Sequence, residues 1–274
     1  MSKRPLILVS NDDSYSAKGV HELIDRLVKF GDVVAVCPQH PQSGQSMALT
    51  VNNPLRITMQ PDYNGARMYH VSGTPVDCIK LSMHYILDRK PDLVVTGINH
   101  GSNSAINVLY SGTMGAAMEG CAFGIPSIGF SLTDHSGDAD FTPCHKAIDI
   151  LVEHALLRGM PQDICLNVNV PNIKGEPECM RKCVPCRGHW NDEYAEYTDP
   201  YGKKFYWLTG KYENEEPDNE LTDEWALSHG MISVVPVSIE RSQSAEVTID
   251  WLDEAIDLYN SHKNQGKKCN IHTF

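Results

Sequence analysis

Two short, almost wholly apolar runs near the start of the chain, LILVS (6–10) and VVAVCP (33–38), constrain its fold more than any other feature. A strand with one wet face alternates apolar and polar residues, whereas a strand covered on both faces does not, so both runs read as buried strands. Between them Val20, Leu23, Ile24, Leu27 and Val28 recur at helical spacing, with Gly31 as a stop. Strand, helix and strand in so short a stretch make a βαβ unit, which requires parallel pairing and a helix lying on the sheet.

The same rhythm continues. Thr74-Pro75 ahead of Val76, Ile79, Met83, Ile86 and Leu87 predicts a helix with Thr74 as its N-cap and Pro75 in its first turn. LVVTGIN (93–99) predicts a strand, MGAAMEGCAFG a helix of small residues, IPSIGFSL a strand, residues 145–158 a helix and ICLNVNV a further strand. The first 171 residues therefore predict an α/β fold, a doubly wound and mostly parallel sheet. Composition then shifts: residues 172–220 carry Pro, Gly, aromatics and an acidic run (Glu213, Glu215, Glu216, Asp218) that reads as a solvated loop. Beyond it KKFYWLTGKY predicts a hairpin strand and MISVVPVSI a strand. DWLDEAIDLY predicts a terminal helix, with Ile249, Leu252, Ile256 and Tyr259 on one apolar stripe. The expected organisation is a core over 1–171 and a C-terminal extension over 172–274.

Charge and cysteines narrow the function. The 23 Lys and Arg against 35 Asp and Glu give a net charge of -12, which argues against a nucleic acid polymer as partner. A small phosphorylated ligand stays open if a metal or a backbone nest offsets the local charge. The apolar run after MSKRP is too short for a signal peptide, and no stretch reaches the roughly 18 apolar residues of a membrane span. The nine cysteines, several inside apolar runs, read as reduced thiols. The expectation is a cytoplasmic protein with no membrane association.

In an open parallel sheet, ligands bind beyond the carboxyl ends of the strands. The segments expected there are Asn11-Asp12-Asp13-Ser14, Pro38 to Ser46 (PQHPQSGQS), Asn99-His100-Gly101-Ser102-Asn103, and Tyr110-Ser111-Gly112-Thr113 just before a helix. Adjacent aspartates at a strand end repel each other, and a cation relieves that repulsion. Carboxylate, hydroxyl and amide oxygens suit a hard ion such as Mg²⁺ or Mn²⁺. Ser111-Gly112-Thr113 opens a helix whose free N–H groups attract an anion. Taken singly, the Asn/Gly and Ser-Gly-Thr segments also fit a plain turn and a simple cap; their convergence on one edge makes the case.

ILVSNDDSYSAKGV, CPQHPQSGQSMALT, VSGTPVDCIKL and PDLVVTGINHGSNSAINVLYSGTMGAAMEG resemble, in order, the signature segments of the SurE (stationary-phase survival protein) nucleotidases. RGHWNDEYAEYTDPYGKKFYWLTG is similar to that family's later W-x-D…P-x-G-x-x-Y-W region. The resemblance implies a Rossmann-like core and a smaller C-terminal part used in oligomer contacts, in a homodimer or homotetramer. It also implies hydrolysis of nucleoside 5′-monophosphates and often 3′-monophosphates, with cleavage of short polyphosphate besides. Carried over by motif position, it implies one divalent metal held by Asp12, Asp13, Ser43 and Asn99. The family's usual Gly after the two aspartates is Ser14 here, at a turn where Gly accepts φ > 0 more readily than Ser.

The residues suggest a matching chemistry. Asn103 and the Ser111-Gly112-Thr113 nest would hold phosphate oxygens, and Asp12 would orient or deprotonate a water. His100 could protonate the leaving alkoxide, but a plain exposed loop residue is the expected reading of that histidine. A receiver domain is a rival, but it needs an Asp where the later strand ends in Asn99. A haloacid-dehalogenase-type phosphatase needs Asp-x-Asp, and Asp12-Asp13 lacks the spacer. A non-catalytic nucleotide-binding module stays open. Cys179-x₃-Cys183-x₂-Cys186-x₂-His189 has the look of a zinc knuckle, yet a structural site needs four placed ligands, and reduced thiols are the expected state.

Overall fold

A computed structural model describes residues 4–240 together with Trp251 and Ile256. The chain divides after Ile239 into two units, and the sheet and helices belong to the first. Strand β1 (Leu6–Ser10) is buried along its whole length, as its unbroken apolar run requires. Helix α1 (Lys18–Leu27) lays Val20, Leu23, Ile24 and Leu27 into the core and leads to β2 (Asp32–Pro38), parallel to β1.

An antiparallel hairpin follows, β3 (Ile57–Tyr63) and β4 (Ala66–Val71), and β4 joins β2 in parallel. Helix α2 (Pro75–Leu81) begins with a capping box: Thr74 Oγ1 accepts from Asp77 N while Asp77 Oδ2 accepts from Thr74 N. Its apolar pattern continues past Leu81, but Ser82–Ile86 form one wider π-type turn instead of α-helix. Then come β5 (Leu93–His100), α3 (Gly112–Ala122), β6 (Ser127–Leu132), α4 (His145–Arg158) and β7 (Ile164–Val170).

After β7 the chain adds β8 (Met180–Lys182), β9 (Gly188–Asn191), β10 (Tyr194–Thr198), β11 (Lys204–Leu208), β12 (Lys211–Asn214), α5 (Asp223–Ser228) and β13 (Ile232–Ser238). Two of these strands extend the main sheet, whose order is β3-β4-β2-β1-β5-β6-β7-β13-β8, with β13 antiparallel to β7. β10 pairs with β11 and β9 with β12 in two small antiparallel ribbons. The expected terminal helix falls outside the described residues.

The order fixes where a ligand fits. From β1 the chain winds outward through β2 to β4, then returns to β5 on the other side of β1 and winds outward again. The reversal lies between β1 and β5, the topological switch point where α/β sheets bind ligands. Ser10 and Thr96 are register partners, so the loops leaving the two strands start level with each other.

Candidate active site

Asp12 and Asp13 leave β1 at this switch point. The turn that carries them holds Ser14 at φ +93°, a conformation glycine adopts more cheaply. Its closures are Asn11 Nδ2 donating to Ser14 O at 2.8 Å and Ala17 N donating to the same oxygen at 3.2 Å. The turn is thus formed with serine in place of the family's glycine.

Asp12 is buried, and both the hydroxyl and the backbone of Thr113 hydrogen-bond its carboxyl group. Burial, reinforced by the charge of Asp13, pushes its pKa up to about 6 against those hydrogen bonds. Asp13 is half-buried and also raised by burial, while His100 N, donating to Oδ2 at 3.2 Å, and the charges of His100 and His135 pull it down. Two neighbouring carboxyl groups, each disfavoured in its charged form, make a place where a cation restores balance.

The loop after β2 is tied down on two sides. Gln42 N donates to Asp12 O at 2.7 Å, and Ser46 bonds the segment before α3 through N to Tyr110 O (3.0 Å) and Oγ to Leu109 O (2.6 Å). Ser43 lies between these ties, exposed on the cleft wall. On the other side β5 slips register against β6 between Thr96 and Asn99. Gly97 enables this: at φ +116° a side chain there would meet Phe130 O at 2.2 Å. Beyond the bulge, Asn99 Nδ2 donates to Gly101 O at 2.8 Å, which leaves its oxygen, the atom a hard cation takes, for a ligand.

Asp12, Ser43, Asn99, Asn103 and Ser111 line one cleft of about 420 Å³, large enough for a nucleotide. Asp13 stands beside that lining, joined to it through His100, while Gly112 and Thr113 lie behind Asp12. Thr113 is therefore engaged in fixing Asp12. Ser111 caps α3, its Oγ accepting from Met114 N at 3.0 Å. Asn103 is held by three contacts: Nδ2 to Ser131 Oγ (2.8 Å), N to Asn169 Oδ1 (2.7 Å), and O from Asn167 Nδ2 (2.8 Å). One amide hydrogen of Asn103 remains for a ligand oxygen.

His100 donates through Nδ1 to Ser136 O at 3.0 Å, so Nε2 is its free ring nitrogen. The cleft also contains residues that pattern reading did not single out: His135, packed over Gly101, with Ser104, Asn107, Trp190, Tyr212 and Glu224. Trp190 Nε1 donates to Asn107 Oδ1 at 3.0 Å. Trp190 lies in the W-x-D segment that resembles the family's, a signal that could have found it; Tyr212 and Glu224 carry no local signal.

Among the described residues no group of three or more His, Cys, Asp or Glu side chains is arranged to hold a metal. The set at the switch point is of another kind, two carboxylates with a hydroxyl and an amide, which fits a hard cation. In the Cys179–His189 segment, Cys186 Sγ lies 3.0 Å from Asn214 Oδ1 and His189 Nδ1 lies 2.7 Å from Glu215 Oε1, with both cysteines 183 and 186 buried. No helix among the described residues is long and apolar enough to cross a membrane.

Comparison with known proteins matches the family model described as "Survival protein SurE" over residues 7–192. A Bacteroides fragilis protein named 5′-nucleotidase SurE is 48% identical over 241 residues, 88% of this chain and 94% of that one. A Cytophaga hutchinsonii protein of the same name is 45% identical over 256 residues, 92% and 98% of the two chains. The crystal structure of the Aquifex aeolicus SurE protein superposes with a TM-score of 0.77 at 34% identity, covering 93% of this chain and all of that one. On this breadth of agreement in sequence and fold, the chain belongs to the SurE family.

Proposed function

We propose that this protein is a divalent-metal-dependent phosphatase acting on nucleoside 5′-monophosphates, with 3′-monophosphates and short polyphosphate as further substrates. One observation carries the reading: the adjacent carboxyl groups of Asp12 and Asp13 stand with Ser43, Asn99 and Asn103 at the switch point of the sheet, in a chain whose relatives are named 5′-nucleotidases. Without a cation, such a pair would repel a phosphate dianion.

Asp12, Asp13, Ser43 and Asn99 would hold one Mg²⁺ or Mn²⁺ through oxygen. When bound, the ion supplies positive charge against the phosphate oxygens and acidifies water at neutral pH. The remaining chemistry belongs to the side chains. Thr113 fixes Asp12 Oδ1, so Oδ2 is the oxygen able to orient the attacking water or take its proton. Asn103 Nδ2 and the backbone at Ser111-Gly112, opening α3, hold phosphate oxygens as negative charge builds on them. As the bond from phosphorus to the sugar oxygen breaks, the leaving alkoxide takes up a proton; His100, whose Nδ1 donates to Ser136 O, would supply it from Nε2 only as the doubly protonated imidazolium, and water supplies it otherwise.

The same reading includes a second copy of the chain. The β10–β11 ribbon exposes Tyr197, Tyr206, Trp207 and Leu208, and an isolated two-stranded ribbon with such a surface is stable only when covered. A homodimer or homotetramer would cover it, with residues 172–274 as the contact region around the 1–171 core. The buried free cysteines suit the cytoplasm, where thiols persist.

The test is phosphate release from AMP by the purified protein with Mn²⁺ present. Turnover supports the reading; tight AMP binding with no release would make the chain a nucleotide-binding module instead.

A further inference from the structure

One carboxylate in the cleft has no part in the chemistry described above. Glu224, at the start of α5, lines the same cleft as Asp12, Asn99 and Asn103. It lies beyond the stretch matched by the family model, residues 7–192. Its neighbour Asp223 is fully committed to structure. Asp223 Oδ2 accepts from Ala105 N at 2.7 Å, clamping Ala105 at φ +51°, and Oδ1 accepts from Cys186 N at 2.8 Å and Glu224 N at 2.9 Å. Glu224 is not so committed. Ser104 Oγ donates to its Oε1, and among the described residues Oε2 has no protein partner.

A half-buried carboxylate in a cleft that receives phosphate is unfavourable on two counts, desolvation and repulsion. Burial and the charge of Asp223 push its proton affinity up. A ligand that offers it a hydrogen-bond donor removes part of that cost. The position says which part of the ligand. Ser104, its partner, directly follows Asn103, the proposed phosphate holder. Farther along, Asn107, Tyr110 and Trp190 are shared with a second cavity of about 360 Å³, which Tyr194 and Leu208 also line. That second cavity, walled by these aromatic and aliphatic side chains together with the polar Asn107, Glu193 and Thr209, suits a base ring with its polar edge groups. In a 5′-nucleotide the sugar joins phosphate to base; Ser104 and Glu224 line the same cleft as Asn103, and Asn107, Tyr110 and Trp190 connect that cleft to the aromatic one. Carboxylates accept hydrogen bonds from ribose hydroxyls in other nucleotide-binding α/β folds for the same reason of geometry and charge.

We propose that Glu224 is a specificity-determining residue that reads the sugar, its carboxylate accepting a hydrogen bond from a ribose hydroxyl of the bound nucleotide. The inference rests on the nucleotidase reading, and it makes this chain prefer ribonucleotides to their deoxy forms. The experiment compares kcat/KM for AMP, 2′-deoxy-AMP and 3′-deoxy-AMP in the wild-type protein and in Glu224→Ala and Glu224→Gln. Calorimetric binding of adenosine and its two deoxy analogues is measured on the same samples.

The wild-type protein should favour AMP over at least one deoxy analogue by about tenfold, the worth of one hydrogen bond to a charged group. Glu224→Ala should bring that ratio to about one, a pattern that mere loss of structure, which lowers turnover of both nucleotides alike, does not produce. Glu224→Gln, which keeps an oxygen for Ser104 but loses the charge, should fall between them. An undiminished ratio in both variants, or no discrimination by the wild-type protein in either turnover or binding, overturns the inference. Failure to release phosphate while still binding adenosine more tightly than a deoxy analogue, through Glu224, would sink the nucleotidase reading and leave this one standing.

Discussion

Gly112→Ala separates the placement of Asp12 from the stability of the fold. A methyl group at position 112 would lie 2.8 Å from Asp12 Cβ and 3.0 Å from Asp12 Oδ2, inside ordinary contact distance. Gly112 is at the start of α3, where alanine suits helical backbone and its propensity offsets up to about 1 kcal/mol. Overpacking a buried site costs about 1–3 kcal/mol, so with that offset the net loss of stability should be about 0–2 kcal/mol. A domain stable by roughly 5–15 kcal/mol remains folded at 25 °C after such a loss. Activity should respond far more. The cheapest relief is a shift of the Asp12 side chain, and displacement on the order of 1 Å at a reacting centre costs about 100-fold, or roughly 2.7 kcal/mol of transition-state stabilisation.

The control is Gly120→Ala on the same helix, where the added methyl would meet Ser127 Oγ at 2.7 Å and Val94 Cγ2 at 2.8 Å, away from the cleft. Thermal unfolding and phosphate release from AMP are measured on both variants. Similar losses of stability, with activity lost only in Gly112→Ala, are expected. Retention of more than about a third of wild-type kcat/KM by Gly112→Ala, a change below roughly 0.7 kcal/mol, would refute the claim that Asp12 must sit where Gly112 lets it.

Ser14→Gly should stabilise the protein by about 1 kcal/mol, since φ +93° strains serine more than glycine, and raise Tm by roughly 2–4 °C; an unchanged or lower Tm contradicts the strain. Asp149→Asn should cost about 1 kcal/mol or less at neutral pH, because hydrogen bonds from Arg26 and Lys29 outweigh burial and hold this carboxyl group below its usual range. With a lowered folded pKa the contribution exists above the unfolded value and is lost as pH falls through the folded one, so the two proteins should converge in acid; a gap that persists there would show the loss is not ionic. Light scattering at micromolar concentration should give a dimer or tetramer, and replacing Trp207 and Leu208 together by serine should lower the mass; a wild-type monomer rules the second copy out.

The residues that made the core legible were those whose environment is set locally. β1, β2 and β5 carry unbroken apolar runs because both their faces are covered, and the helix over 145–158 ends where Gly159 takes φ +71°. The β3–β4 hairpin was missed because its outer strand is mostly exposed and lacks a run, although Asn64-Gly65, at φ +45° and +81°, is the turn signal that would have found it. The site shows the same division. Asp12 and Asn99 stand at the ends of β1 and β5, which pattern locates, whereas Ser43 lies five residues beyond β2 and is singled out by the family resemblance. Thr113 sat in a segment assigned to phosphate, yet it clasps Asp12, since which partner a helix-opening residue meets depends on how α3 packs against β1. Tyr212 and Glu224 reach the cleft from more than 100 residues away in sequence through folding of the C-terminal segment, and no spacing rule connects them to Asp12.

Binding of Mn²⁺ to the chelator-stripped protein, followed by calorimetry beside phosphate release from AMP, tests the central claim most directly. One ion per chain should bind, Mn²⁺ or Mg²⁺ should restore activity, and Asp12→Asn and Asp13→Asn should lose both binding and more than nine-tenths of turnover, about 1.4 kcal/mol, with the fold intact by circular dichroism. Full turnover after exhaustive chelation, or a variant that releases phosphate at the wild-type rate without binding the ion, would contradict it.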